Sequence, residues 1–97
     1  MIFISRREEG IKIRGHANYA ARGKDIVCAA VSALLENLIL SIEELTADTI
    51  QYSMQPGTVD IKFGDLSEQA QLLVDSFFLG VKQIAEDYPE NVRLTKH

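Results

Sequence analysis

Apolar residues recur at two different periods along the chain. The segments "MIFISR" and "IKIRG" are rich in β-branched residues and are joined by Arg7-Glu8-Glu9-Gly10, whose glycine can adopt the left-handed conformation of a tight turn. They predict a hairpin. From Asp25 onward the period becomes helical: Ile26, Val27, Ala30, Leu34, Leu38 and Leu45 recur on one face, and Asp25 is suited to accept the free N–H groups of the first turn. This helix is expected to run to about Leu45. "TIQYSM" and "TVDIKF" flank the turn signal Gln55-Pro56-Gly57 and predict a second hairpin. A second helix should start near Asp65 or Ser67 and end at Tyr88, because Pro89 disfavours helical geometry in the residue before it. A short strand over Asn91 to Leu94 completes the reading.

The expected order is ββαββαβ, an α+β domain of two layers with two long helices packed on a mostly antiparallel sheet. With 97 residues, no linker and no internal repeat, residues 1–97 should form one domain. The first helix carries apolar residues on nearly every face, including Ile26, Ala29, Val31, Leu35, Ile39, Leu40 and Ile42. Such a helix must be covered on more than one side, and in so small a domain a second copy of the chain is the expected cover. A homodimer follows.

Composition narrows the function. Hydrophobic content of 46% and charged content of 25% fit a globular chain, not a disordered one. The apolar run at the N-terminus ends at once in charges, so no export signal is expected. The most apolar stretch, Ile26 to Leu35, is about half the length a bilayer-spanning helix needs and is read as a core helix, with no membrane role. A single cysteine cannot form an internal disulfide, and with two histidines, one of them the terminal His97, it makes a poor zinc inventory. No metal or cofactor is expected, and a reducing cytoplasm fits best. A net charge of −4 and a pI near 5.0, without any run of Lys and Arg, argue against nucleic acid as a direct partner. An acidic surface built from Glu43, Glu44, Asp48, Asp60, Asp65, Glu86, Asp87 and Glu90 would instead attract a basic polypeptide.

The chemistry centres on the lone cysteine. With Asp25 as N-cap, Cys28 is the third helical residue, beside the positive end of the helix dipole. A dipole contributes roughly 0.3–2 kcal/mol, whereas ionising an ordinary thiol at neutral pH costs about 2 kcal/mol, so the helix end alone leaves a thiol only partly ionised. A nearby protonated imidazole could supply the rest. His16 ends the first hairpin, and the segment from Ala17 to Lys24 is long enough to fold back and bring it to Cys28. Cys28, Ser32 and Glu36 share one helical face. Ser32 could bond the thiol or the imidazole, or equally bond back to the carbonyl of Cys28. Asp25 could orient His16 or cap the helix. The small residues Ala20, Ala21 and Gly23, with Arg22 and Lys24 beside them, leave the loop from Ala17 to Lys24 little to pack with, as in a lid. A cysteine among alanines and valines is also an ordinary packing residue. Tyr19, Tyr52 and Tyr88 show no pattern.

Gly15-His16-Ala17, then Gly23, then Asp25-Ile26-Val27-Cys28-Ala29-Ala30-Val31-Ser32 resembles the signature of the ribosomal-processing cysteine protease family, Prp, and the likeness extends over the whole chain. The resemblance implies a cysteine endopeptidase, commonly dimeric, that removes a short N-terminal extension from a large-subunit ribosomal protein. It implies Cys28 as nucleophile and His16 as base, with Gly15, Asp25 and Ser32 in support. The expected reaction is acyl transfer to water through a thioester, with N–H groups at the helix start holding the oxyanion. Two other readings stand beside it. One is a noncatalytic homodimeric adaptor that grips a ribosomal protein, and the other is a thiol redox sensor, which lacks a resolving cysteine.

Overall fold

In the computed structural model, which describes residues 1–96, the two β-branched segments at the start of the chain pair as expected: β1 (Ile2–Arg7) lies antiparallel to β2 (Gly10–Arg14). Their alternation sends Ile2, Ile4, Ile11 and Ile13 to one buried face. β3 (Gln51–Gln55) and β4 (Thr58–Lys62) form the second hairpin, and β4 adds Val59 and Ile61 to the same face. The helices are α1 (Ile26–Leu45), between the hairpins, and α2 (Glu68–Asp87), which leads to β5 (Val92–Lys96). The order is ββαββαβ, an α+β fold with two helices and a five-stranded sheet.

Strand order in the sheet is β3-β4-β2-β1-β5, antiparallel throughout except for β1 and β5, which run parallel. β5 sits one to two residues later than the sequence reading placed it. Asn91 is spent in the preceding turn, where its N–H bonds the Tyr88 carbonyl and its own carbonyl accepts from the N–H of Ile2. α2 starts at Glu68, not at Asp65, because Ser67 is the cap that accepts from the N–H of Ala70 at 3.1 Å. Asp48 holds that cap through both the N–H and the hydroxyl of Ser67.

α1 has the extent expected and buries Val27, Val31, Leu35, Leu38, Ile39 and Ile42. Each such side chain contributes about 1.5–3 kcal/mol on leaving water. α2 packs closely on it: a Cβ at Gly80 would come within 2.9 Å of Leu34 Cδ1, so any larger residue there would require the Leu34 side chain to shift. The helix is not covered all round, since Ile26, Leu40 and Leu45 remain 57%, 58% and 73% exposed.

Two expected members of an acidic surface do other work. Asp48 is the clamp on the α2 cap, and Asp60 pairs with Arg14 at 3.0 Å and Lys12 at 3.9 Å on the outer face of the sheet. One end of the sheet gathers the start of β1, the end of β2, the β3–β4 turn and Asn91. The loop from Gly15 to Lys24 runs from this end to α1.

Candidate active site

Asp25 decides the local geometry. Its Oδ1 accepts from the N–H groups of Val27 and Cys28, both at 3.0 Å, while Oδ2 accepts from Tyr19 N–H at 3.0 Å and Ala20 N–H at 3.4 Å. One carboxylate therefore caps α1 and anchors the loop. Among the described residues it makes no hydrogen bond to His16, and all four of its hydrogen bonds go to backbone N–H groups of the loop and of the first turn of α1. Four N–H donors stabilise its charged form, and the Cys28 N–H leads in holding the carboxyl below the ordinary 3.8.

This cap changes what the helix end can offer. The N–H groups of Val27 and Cys28 are taken by Asp25 Oδ1 and that of Ala29 by the Asp25 carbonyl, so the helix start is not the free oxyanion cradle the sequence predicted. A carboxylate at the N-cap also offsets the dipole that would favour a thiolate. Instead the donor to the sulfur comes from the loop: Ala17 N–H points at Cys28 Sγ across 3.3 Å.

The peptide that carries this donor is held from several sides. Ala17 is buried, its carbonyl accepts from Asn91 Nδ2 at 2.9 Å, and the carbonyl of His16 accepts from the Met1 ammonium at 2.5 Å. Gly15, at φ +93°, donates its N–H to the Gly57 carbonyl, and a Cβ there would collide with the carbonyl of Met1. The sequence pointed to Gly15 only through the resemblance; its left-handed backbone and close approach give the physical reason for glycine.

The exposed His16 imidazole lies against the β3–β4 turn. A Cβ built on Gly57 would stand 2.9 Å from His16 Nε2, so the bare glycine, itself at φ +74°, provides the surface on which the ring rests. Among the described residues no hydrogen bond joins His16 to Cys28, but both line one groove of about 540 Å³ with Asn18, Asp25, Ser32 and Pro56. Ser32 is exposed on the groove wall, and among the described residues its hydroxyl bonds neither the thiol nor the Cys28 carbonyl. Cys28 is half-buried, with its backbone in the cap and its sulfur facing the groove.

The loop is less free than its composition implied. Ala17 to Ala20 is tied by Asn91 and Asp25, and the Tyr19 ring meets the Tyr88 ring edge-to-face at 5.3 Å. Asn18 takes a left-handed φ of 56°, which asparagine tolerates. Only Ala21 to Lys24 fits the description of a loosely packed lid; these four are exposed, with one turn bond from Lys24 N–H to the Ala21 carbonyl. Sequence reasoning passed over Ala17, Asn91, Gly57 and the Tyr19–Tyr88 contact. His97 lies outside the described residues.

Residues 2–93 match the sequence profile of the family described as Cysteine protease Prp. A Staphylococcus aureus ribosomal processing cysteine protease Prp is 36% identical over 83 residues, covering 82% of this chain and 78% of that protein. The Bacillus subtilis protein of the same description is 28% identical over 91 residues, covering 87% and 81% of the two chains. Among solved structures, the S. aureus ribosomal processing protease Prp with a covalently linked product peptide superposes with a TM-score of 0.96 at 28% identity over 100% of both chains.

Proposed function

The chain belongs to the Prp family of cysteine proteases, and from that premise we propose that it removes the N-terminal extension of a large-subunit ribosomal protein, with Cys28 as nucleophile and His16 as general base. The observation that carries the assignment is the shared groove, in which the Cys28 sulfur accepts a backbone N–H at 3.3 Å while the His16 ring stands free on its rim. As peptide fills the groove, the imidazole turns from Gly57 toward the sulfur and takes its proton. The thiolate attacks the scissile carbonyl carbon and forms the C–S bond. His16 then gives the proton to the leaving amine as the C–N bond breaks, and water activated by His16 cleaves the thioester.

Ala17 N–H is the donor nearest the reacting centre and, as the thiolate adds to the scissile carbonyl, is placed to meet the oxyanion of the tetrahedral intermediate. Gly15 and Asp25 support the site through the backbone, and Ser32 lines the groove beside the peptide. Glu86, Asp87 and Glu90 are exposed around Tyr88, whose ring meets the loop, so acid lies where a basic ribosomal peptide would approach. The protein acts as a single domain in the cytoplasm and as a homodimer that covers the exposed apolar residues of α1. A monomeric mass by light scattering at micromolar concentration would refute the dimer.

The deciding experiment is incubation with the host's ribosomal protein, read by mass spectrometry. Wild type should yield a shortened product and Cys28→Ala none. Cys28→Ser should keep the fold and lose at least about a thousandfold in turnover, because a lone imidazole scarcely ionises a hydroxyl. An uncleaved substrate that still binds both proteins would favour the noncatalytic adaptor.

A further inference from the structure

The outer face of the sheet, opposite the helices, reverses the charge of the molecule. Its positions are fixed by strand register: Phe3 pairs with Arg14 on one side and Arg93 on the other, Lys12 pairs with Asp60, and Gly10 lies between Arg7 and Lys62. Five of the chain's ten Lys and Arg residues therefore project from this face, with Asp60 the one acid among its strand residues. The face carries a formal +4, leaving −8 for the rest of a chain whose total is −4. Glu8 and Glu9 sit in the turn that bounds it.

Phe3 is 44% exposed in the middle of this surface, with a guanidinium-bearing neighbour on each flanking strand. Cross-strand neighbours stand about 4.5–5.5 Å apart, so register places Phe3 between two arginine positions; the Arg14 guanidinium turns away to Asp60 and to the Ile13 and Val59 carbonyls, which leaves Arg93 as the cation beside the ring. Hydroxyl and amide side chains, among them Ser5, Ser53 and Gln55, occupy the intervening positions. A shallow groove of about 440 Å³ crosses β2, β4 and β3 beside Lys12 and Lys62.

We propose that this face binds single-stranded RNA, with Arg7, Lys62 and Arg93 on phosphates and Phe3 stacked on an unpaired base. A sheet about 19 Å across, from five strands at about 4.8 Å spacing, offers an open platform on which unpaired bases can lie flat. Cations spread over several strands can follow a phosphate backbone, and an aromatic ring among them accepts any base. A membrane surface would need more apolar area than one phenylalanine supplies. The chain's overall acidity and its lack of basic runs argued against nucleic acid only because the five cations are scattered in sequence and meet through strand pairing.

The test is fluorescence anisotropy with a short labelled oligo-uridine and a mixed-sequence single-stranded RNA. Three phosphate contacts predict a log–log salt slope of about −2, a loss of about 20-fold between about 50 and 200 mM salt. Phe3→Leu should weaken binding about tenfold. Lys62→Glu with Arg93→Glu should abolish most of it while peptide cleavage and melting temperature stay unchanged, since neither residue belongs to the catalytic groove. Absence of RNA binding at low salt would overturn the proposal. So would competition by oligo-glutamate as effective as RNA with Phe3→Leu silent, which would assign the face to an acidic polypeptide. Self-association that Arg93→Glu removes would assign it to a second copy of the chain and overturn it equally.

Discussion

Gly57→Ala tests whether the β3–β4 turn positions the general base. Two costs arise at once. The backbone sits at φ +74°, where an L-residue with a Cβ costs about 1–2 kcal/mol. The new Cβ would lie 2.9 Å from His16 Nε2, 3.5 Å from Cε1 and 3.6 Å from Cδ2, so the ring must withdraw by roughly half an ångström to reach ordinary contact. A misplacement of about 1 Å in a catalytic constellation can cost a hundredfold, so a tenfold fall in kcat with little change in KM is expected. The assay is cleavage of a fluorogenic peptide copied from the ribosomal protein's N-terminal extension, beside urea unfolding and the NMR signals of the His16 ring. Gly57→Asn separates the two costs, because asparagine tolerates the left-handed backbone yet still carries the Cβ. It should recover most of the stability and little of the activity. If both variants unfold more easily but cleave as fast per folded molecule, with the His16 signals unmoved, the turn is only a turn.

Asp25→Asn should split the two tasks of that side chain: its one remaining carbonyl can still cap Val27 and Cys28, but its amide cannot accept from Tyr19 and Ala20, so hydrogen exchange should accelerate at residues 19 and 20 and stay slow at 27 and 28. In the wild type, amides of Ala21 to Lys24 should exchange faster than those of Val31 to Ile39 and slow when peptide binds; equal protection in the free protein would end the lid proposal. Asp25, Asp48, Asp60 and Asp75 are all held below the ordinary 3.8, respectively by Cys28 N–H, the Ser67 hydroxyl, Arg14 and Arg6. Their contribution is therefore present above that value and lost as pH falls through the native pKa values, so the urea midpoint should decline below about pH 4 and a flat profile down to about pH 3 would refute it.

The sequence alone was enough for features written in neighbouring residues. Strand-forming residues around turn signals placed both hairpins, helical spacing carried α1 to about Leu45, and Asp25 three places before Cys28 offered a cap, because each depends on contacts within a few positions. The same local logic found Cys28 and His16 on either side of one loop. What it could not weigh were contacts between distant parts of the chain. Asn91 reaches the carbonyl of Ala17 across 74 positions and Arg14 reaches Asp60 across 46, and no pattern near either residue marks the partner. The helix-end donors were misjudged because a carboxylate that seemed to leave them free occupies them. His16 rests on Gly57, and five scattered cations share one face, only because β2 lies between β1 and β4, and β5 pairs with β1 at the far edge. Side-chain periodicity tells which residues of a strand point the same way, but strand order decides which strands stand side by side. That order is set by how two helices and five strands together bury their apolar faces, a property of the whole chain and of no segment in it.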